Sequence, residues 1–227
     1  RFDPADAETV VRWMDAAHAQ TGQTGFHFTD EAAPPALLRQ LSMRLSARGA
    51  PYAWWTNIRL ERAFDAALAK VMASGGCIAV TGGLECANDR LLARMRKGYT
   101  RGEAAAACAA LAAAGIRVHL YLMYGFPSQT AEEAIEALDF VRRLFRRGLV
   151  ASAYWHRFAL TCHSPLCRAP SKFGVRPQRP DGEFACNEIA YSHAREPDWE
   201  RIGEGLRRAV YNYGLGVGLD TEVRTWF

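Results

Sequence analysis

The sequence predicts a partial TIM-like (β/α) barrel with parallel strands, followed by an irregular arm and a terminal helix. Five short runs rich in β-branched and aromatic residues begin near residues 25, 52, 76, 116 and 151. One or two segments with helical apolar spacing separate each pair of runs, and helical connections of this length join parallel strands. No glycine-rich dinucleotide fingerprint follows a strand, which favours a barrel over a doubly wound sheet.

The composition is that of one globular domain of ordinary size. The 227 residues are 49% apolar and 23% charged, with a net charge of +4, so the chain can bury a substantial core. The arginines are spread along the predicted helices, which indicates solvated faces and predicts no nucleic-acid interface. No stretch reaches the roughly 18 apolar residues of a membrane span. Since no signal peptide is visible either, we expect a cytoplasmic protein with reduced cysteines.

The first half of the chain contains three predicted strands. Asp3 and Pro4 predict the start of a helix that runs to about residue 20. The first strand is "GFHFT", and a leucine-rich helix after Pro34 separates it from the second strand, "YAWWTNI". A helix over residues 61–74 leads to the third strand, "CIAVT".

Capping patterns mark the helices of the second half. After a short helix over residues 88–96, Thr100 and Glu103 predict a capping box for an alanine-rich helix, and Thr130 and Glu133 predict another. The fourth and fifth strands are "IRVHLYLMY" and "VASAYWHRFAL". The alternation stops there, and a last helix is predicted over residues 198–213. We therefore divide the chain into a barrel, residues 1–160, and a C-terminal arm with its helix, residues 161–227.

Polar residues follow the predicted strands at the end where parallel α/β proteins bind ligands. Glu85 comes after two glycines, which we expect to permit a sharp turn close to a ligand. The candidate residues, in strand order, are Asp30 and Glu31, Asn57 and Arg59, Glu85, Tyr124 and Gly125, and residues 156–158.

The charges of these candidates restrict the ligand. Carboxylates repel phosphate groups, but they suit a ligand with hydroxyls, an ammonium or a positive sulfur, and Arg59 suits a ligand carboxylate. Two alternatives remain open. Asp30, Glu31 and Glu85 each precede a predicted helix, where the helix dipole favours acids without any ligand. Glu85 and Asp30 could also form the acid/base pair of an unrelated barrel enzyme.

The remaining motifs predict no metal site. Cys162, Cys167, Cys186 and His193 could supply four zinc ligands, but their long unequal spacing differs from the paired C-x2-C of structural sites. The sequence contains no phosphate-binding loop, G-x-S-x-G or H-E-x-x-H motif.

One long segment resembles a known family. The stretch "GGLECANDRLLARMRKGYTRGEAAAACAALAAAGIRVHLYLMYGFPSQTAEEAIEALDF" is similar to the middle of radical S-adenosylmethionine enzymes, in the branch often paired with a cobalamin-binding domain. The features that carry the resemblance are a strand ending in Gly-Leu-Glu, a helix ending in Lys-Gly and a strand closing on Gly-Phe-Pro. It extends back to "FHFTDEAAPP" and "WWTNIRLE" and forward to "RFALTCHSPL".

The resemblance implies a partial (β/α)6 barrel that holds S-adenosylmethionine across its strand ends. It also implies a [4Fe-4S] cluster that reduces this molecule to release a 5′-deoxyadenosyl radical, a small-molecule substrate of unknown identity, and cobalamin as a candidate cofactor. Glu85 would lie near the ribose or the methionyl part. The other implied cofactor-binding residues are Asp30, Glu31, Asn57, Arg59, Tyr124, Gly125, Phe126 and Pro127, the last three near the adenine.

The cluster motif is where the sequence departs from the family. Members bind the cluster through C-x3-C-x2-C after the first barrel strand, and no such triplet occurs in the 227 residues. We therefore expect a C-terminal part of a radical S-adenosylmethionine enzyme, inactive alone, with the first strand missing. The exposed sheet edge at "GFHFT" is then expected to favour self-association. The alternative is a cluster-free barrel that acts as a binding or scaffold module.

Overall fold

A computed structural model describes residues 5–178, 187–193 and 197–227. Its main sheet is a curled half-barrel of five parallel strands whose order follows the chain. The strands are β1 (Gly25–His27), β2 (Ala53–Ile58), β3 (Cys77–Glu85), β4 (Arg117–Tyr124) and β5 (Ser152–Arg157). The predicted partial TIM-like barrel with parallel strands is confirmed.

Helices connect the strands and cover one face of the sheet. They are α1 (Ala7–Thr21), α2 (Pro35–Ser46), α3 (Ala66–Ser74), α4 (Asp89–Arg94), α5 (Arg101–Ala113), α6 (Ala131–Arg146), α7 (Pro165–Arg168) and α8 (Trp199–Gly214). Two short strands in the arm, β6 (Val175–Pro177) and β7 (Tyr191–His193), pair antiparallel. Two short 3₁₀ turns, Pro170–Phe173 and Val223–Trp226, complete the described elements.

Alternation along the strands separates a buried face from an open one. In β2, Trp54, Thr56 and Ile58 are buried, whereas Trp55 is 37% exposed. Because successive strand residues point to opposite faces, the first set packs under the helices and Trp55 lies on the other face. We call this second face, which no helix of the described residues covers, the concave face.

The core joins the sheet to helices from both halves of the chain. Trp54 of β2 and Trp155 of β5 are fully buried, and Leu206 of α8 lies in the same hydrophobic cluster. The terminal helix therefore packs on the barrel core. The division of the chain at residue 160 stays a prediction, as does self-association through β1, which pairs with β2 on one side only among the described residues.

Several element ends differ from the predictions. Helix α1 begins at Ala7, where Asp6 Oδ1 accepts a hydrogen bond from Thr9 N at 2.7 Å; Asp3 and Pro4 lie outside the described residues. Helix α3 begins at Ala66 because Asp65 caps it. Both predicted capping boxes are present. Among the described residues, no helix has the length and apolar composition needed to cross a bilayer.

Candidate functional site

A cavity of about 330 Å³ opens at the carboxyl ends of the central strands. We call it the rim cavity. It lies at the small end of the size range of sites for small molecules. It is lined by Glu31, Ile58, Arg59, Gly83, Glu85, Lys97, Tyr99, Tyr121 and His156.

A larger cavity of about 910 Å³ lies at the amino ends of the strands, where Trp55, Ile78 and His119 contribute to its walls. Size alone would make it the candidate site. In parallel α/β folds, however, ligands bind at the carboxyl ends of strands. The rim cavity at that end also carries four charged residues, Glu31, Arg59, Glu85 and Lys97, whereas the larger cavity carries Arg117. The rim cavity is therefore the candidate functional site.

Glu85 occupies an unusual backbone position at the end of β3. Its φ is 54°, in the left-handed region that side chains rarely adopt, and Ala87 follows at 44°. The pairing of β3 with β4 shifts register between Gly83 and Glu85. Such strained residues are concentrated at functional sites, where the surrounding structure holds them in place. The strain here presents a carboxylate to the rim cavity while keeping Glu85 only 8% exposed.

The two glycines before Glu85 do not form the sharp turn that the sequence suggested. Gly82 and Gly83 lie within β3, opposite Leu120 and Tyr121 of β4, and neither has a positive φ. They are glycines because neither position has room for a side chain. A Cβ at Gly82 would lie 2.6 Å from Leu60 Cγ in the core, and a Cβ at Gly83 would collide with Oε1 of Glu85.

Lys97 is the ion-pair partner of Glu85. Its Nζ lies 2.7 Å from Glu85 Oε1, and the two side chains are 34% and 10% exposed. The Lys97 carbonyl also accepts a hydrogen bond from Arg59 Nη2. Arg59 also lines the rim cavity, and its own ion-pair partner is Glu61, with Nε 3.6 Å from Glu61 Oε2. A buried ion pair stabilises little once desolvation is counted, so the pair of Glu85 and Lys97 is better explained as a binding feature than as a source of stability.

Two further side chains define the walls of the rim cavity. Tyr99 donates its hydroxyl hydrogen to the Gly83 carbonyl, and burial raises the pKa of Tyr99 well above its ordinary value. It therefore stays protonated and fixes β3 beside Glu85. Burial lowers the pKa of His156, against the opposing effect of the Glu85 charge. His156 is therefore neutral at pH 7.

The structure brings four of the predicted residues together. The lining of the rim cavity includes Glu31, Arg59, Glu85 and His156. Asn57 and Asp30 instead connect the ends of β2 and β1, since Asn57 Nδ2 donates to the Asp30 carbonyl at 2.8 Å. The Asp30 carboxylate is exposed and is not among the groups that line the rim cavity, so it does not share this cavity with Glu85.

The Tyr124 to Pro127 segment does not line the rim cavity either. Tyr124 is 3% exposed and faces α8, where its hydroxyl accepts a hydrogen bond from Arg207 Nη1 at 2.5 Å. Strand parity explains this, because Tyr121 takes the concave face and Tyr124, three residues later, the opposite one. Gly125 N donates to Gln129 Oε1 at 2.7 Å. Phe126 packs edge-on against Phe158. Cofactor contacts by this segment stay a prediction.

Sequence reasoning missed Lys97, Tyr99 and Tyr121. Lys97 is part of the Lys-Gly that ends a helix in the family resemblance, and nothing local indicates that its side chain reaches back to β3. Tyr121 lies inside a strand, so a search restricted to strand ends overlooks it. The parity of β4, with Tyr121 opposite Gly83, is the signal that identifies it.

The described residues do not fit an iron–sulfur cluster. Burial raises the pKa of Cys77 and of Cys108 to about 12 and that of Cys86 well above its ordinary value. A cluster needs several cysteines held together, and these three lie apart in the fold: Cys77 on β3, Cys86 just after it and Cys108 on α5. Cys162 and Cys167 are half-buried in the arm, and Cys186 lies outside the described residues. In the part of the chain that the structure describes, no three His, Cys, Asp or Glu residues form a metal-binding group.

Comparisons with known proteins agree with the fold and the family resemblance. The sequence profile of the radical SAM superfamily matches residues 2–141, more than half of the chain. An uncharacterised methyltransferase of Pyrococcus horikoshii is 27% identical over 146 residues, which are 63% of this chain and 32% of that protein. The chain thus spans about a third of the length of this curated relative.

Solved structures share the fold at low identity. A radical S-adenosylmethionine methyltransferase from Kitasatospora setae, TsrM, with cobalamin and a [4Fe-4S] cluster bound, superposes with a TM-score of 0.65 at 20% identity, over 80% of this chain and 38% of TsrM. The cobalamin-dependent S-adenosylmethionine radical enzyme OxsB gives 0.55 at 17% identity, over 63% of this chain and 23% of OxsB. The cofactors expected from the sequence are those that these proteins bind.

Proposed function

The chain belongs to the radical S-adenosylmethionine superfamily, and on that premise we propose that its rim cavity binds the methionyl part of S-adenosylmethionine. Glu85 takes the ammonium group, and Lys97 with Arg59 takes the carboxylate. Glu31 adds negative charge on the side of the cavity facing β1. The positive sulfur of the ligand then lies in a cavity that carries two carboxylates, Glu31 and Glu85.

The observation that carries this proposal is the ion pair between the buried Glu85 and the half-buried Lys97, 2.7 Å apart. An amino-acid ligand carries the same two charges close together. Its ammonium can replace Lys97 at Glu85, and its carboxylate can accept the released Lys97. Each charge exchanges one partner for another, so no charge is left buried without a partner, which is the costly outcome in a protein interior.

The reaction that we propose for the whole protein is group transfer from S-adenosylmethionine to a small molecule, with methyl transfer as the leading outcome. Support comes from the similarity to TsrM and to the methyltransferase of Pyrococcus horikoshii. S-adenosylmethionine itself would supply the adenosyl radical or the methyl group. This chain's residues bind and orient it, and Tyr99 keeps the floor of the cavity fixed.

Two cofactors fall outside what the described residues can hold. The cluster would need thiolate ligands that these residues do not provide, and the 227 residues contain no C-x3-C-x2-C. We therefore propose that this chain alone does not cleave S-adenosylmethionine. A rim cavity of about 330 Å³ does not enclose a corrin ring. Cobalamin is accordingly a proposal for the whole protein, by similarity to TsrM and OxsB.

The absent cysteine triplet also favours a second candidate, a cluster-free binding module. The two candidates share the ligand and differ in the chemistry. Binding without cleavage is expected of this chain in either case. A test of any longer form of the protein distinguishes them: a C-x3-C-x2-C triplet with cleavage of S-adenosylmethionine supports the enzyme, and the lack of both supports the module.

The test is calorimetric titration of S-adenosylmethionine into the 227-residue chain and two variants. Lys97→Met removes the charge at the cavity while keeping the side-chain length, and we expect at least tenfold weaker binding. Lys70→Met changes an exposed lysine on α3 and is the matched control, with unchanged affinity. Free methionine should compete, since the proposed contacts all involve the amino-acid part.

Equal affinity of the two variants would contradict the proposal, and so would no binding by a chain shown to be folded by circular dichroism. A second arm follows anaerobic iron–sulfur reconstitution of the same chain. We expect no stoichiometric cluster and no 5′-deoxyadenosine. Both products together would refute the proposed inactivity of the chain alone.

A further inference from the structure

The larger cavity, at the amino ends of the strands, combines exposed apolar side chains with one cation. We call it the amino-end cavity, and its volume of about 910 Å³ lies within the size range of small-molecule sites. Trp55 is 37% and Ile78 55% exposed, and Arg117 is exposed as well. Large apolar side chains that gather at an exposed concavity indicate a binding surface. The linings of the amino-end and rim cavities share no residue, so a ligand here occupies a second, separate site.

The Trp55 indole is held in a fixed orientation. It stacks on His27 with ring centroids 4.6 Å apart and an interplanar angle of 29°, and its Nε1 donates to Thr81 Oγ1 at 2.8 Å. His27 does not line the amino-end cavity, so the indole face that meets the cavity is the one away from His27. The indole therefore offers an ordered platform to a flat ring.

The strand register places Trp55 and Arg117 on either side of a small residue. Trp55 is level with Ala79 of β3, and Ala79 is level with Arg117 of β4. The backbones of Trp55 and Arg117 are thus two interstrand spacings apart, roughly 9.5 Å. Because the side chain between them is a single methyl group, a ligand that contacts both can lie over Ala79.

A β-bulge and several small residues shape the rest of the cavity. Cys77 pairs with Trp54, and Ala79 pairs with Trp55, so Ile78 is the extra residue of the bulge. Bulges re-aim side chains and are common beside binding sites, and this one accounts for the exposure of Ile78. The end of α3 and the connections to β4 and β5 contribute small residues, Ala73, Ala114, Gly115 and Ala151.

The charge of the cavity suits an anion with one negative charge. Arg117 has no side-chain hydrogen bond or ion pair among the described residues, and none of the described acidic side chains lines the cavity. His119 Nδ1 lies 2.7 Å from Ser152 Oγ. Burial lowers the pKa of His119, so the ring is neutral at pH 7 and adds no second cation. A phosphate ester would bring a second negative charge that no side chain of the cavity balances.

We propose that the amino-end cavity binds a flat aromatic carboxylate, with its ring against the Trp55 indole and its carboxylate on Arg117. A guanidinium can donate two parallel hydrogen bonds to one carboxylate, and ring stacking adds to the burial of apolar area. This inference goes beyond the proposed function, because the ligand is not S-adenosylmethionine and occupies a different cavity.

The experiment titrates 2-naphthoate into the 227-residue chain at pH 7.5 and compares it with 2-naphthamide, which has the same ring system without the charge. Saturation-transfer NMR measures both affinities, and we expect the naphthoate to bind at least fivefold more tightly. Arg117→Met should abolish this preference because it removes the cation. Arg39→Met changes an exposed arginine on α2 and is the matched control, which should retain the preference.

A second pair of variants tests the ring contact. Trp55→Leu should weaken the binding of both probes at least fivefold, whereas Trp13→Leu, at a tryptophan 62% exposed on α1, should change neither. Circular dichroism establishes that each variant is folded, and the Arg117 comparison decides the inference alone if Trp55→Leu does not fold. Arg117→Met should keep its affinity for S-adenosylmethionine in calorimetry, because Arg117 does not line the rim cavity.

Several outcomes would overturn the inference. They are equal binding of the two probes by the unchanged chain, retention of the preference in Arg117→Met, and equal effects of the two tryptophan variants. A dimer in sedimentation that Trp55→Leu converts to monomer would do so too, since a second copy would then occupy the cavity. If S-adenosylmethionine binds and 2-naphthoate does not, this inference is wrong and the proposed function stands.

Discussion

Two consecutive glycines of β3 have different roles: one is required for core packing and the other leaves room for a side chain of the rim cavity. Gly82 lies on the helix-covered face against Leu60, and Gly83 lies on the concave face under Glu85. Both are glycines because a Cβ would meet a neighbour, but the neighbours differ in kind. Leu60 is a core side chain with no room to move. The Glu85 carboxylate is the end of a flexible side chain that can swing away.

Alanine at these two positions is therefore expected to give opposite phenotypes. Gly82→Ala should destabilise the fold by about 1–3 kcal/mol, the usual cost of overpacking a core, with ligand affinity kept in the folded fraction. Gly83→Ala should leave stability nearly unchanged and weaken S-adenosylmethionine binding at least tenfold by displacing Glu85 from Lys97. Urea unfolding and calorimetry measure the two effects. A Gly83→Ala protein that binds normally would contradict the role assigned to Glu85.

At the scale of elements, local sequence patterns predicted the helix caps well, but they did not predict strand pairing between segments far apart in the chain. Thr100–Glu103 and Thr130–Glu133 form the capping boxes that the sequence indicated, because every atom involved lies within one turn. The pairing of β6 with β7 in the arm was not predicted. Its partners, Val175–Pro177 and Tyr191–His193, are far apart in the chain and too short to show a period.

Helix α8 packs closely against β4, and the sequence of the helix alone does not indicate this contact. Gly203 faces Tyr124, whose ring would collide with a Cβ there. We expect Gly203→Ala to destabilise the protein by about 1–3 kcal/mol by forcing α8 away from the sheet. Gly214→Ala, at the end of the same helix with nothing within 4 Å, is the matched control and should be neutral or slightly stabilising. Urea unfolding midpoints compare the two, and equal midpoints would refute the packing argument.

For the whole molecule, the order and direction of the five strands were predictable, but which side chains meet on the concave face was not. Strand order follows the chain because each helical connection places the next strand beside the previous one. The alternation of strand and helix patterns and the length of the connections already imply this. The site was predicted in part. Four of its residues stand at or near strand ends and were predicted: Glu31, Arg59, Glu85 and His156. Lys97 was not found, because only the folded path of the chain after α4 brings its side chain to Glu85 at the end of β3.

The concave face also makes stability depend on pH near neutrality. Burial lowers the pKa of both His119 and His156 from the ordinary 6.5. The unfolded chain therefore binds more protons than the folded one below about pH 6.5, so stability rises with pH in that window and is lost as pH falls. The carboxylates with lowered pKa, such as Glu133, act in a lower window, since their ordinary value is 4.5.

We expect the melting temperature to fall between pH 7.5 and pH 5.5, as measured by circular dichroism. A double variant, His119→Gln with His156→Gln, should flatten that fall because glutamine does not titrate. Ser152 stays in reach of the new amide, so the variant is a fair structural match. An equally steep fall in the double variant would show that other groups govern this window.

The register of the main sheet has a final consequence for what the concave face can hold. Trp55 lies level with Ala79 and Arg117, whereas Tyr121 lies level with Gly83, four residues further along the strands. At about 3.3 Å per residue the offset is roughly 13 Å, so Trp55 belongs to the amino end of the face and Tyr121 to the carboxyl end. A ligand of the rim cavity that also reached Trp55 would have to extend along the strands by about that length.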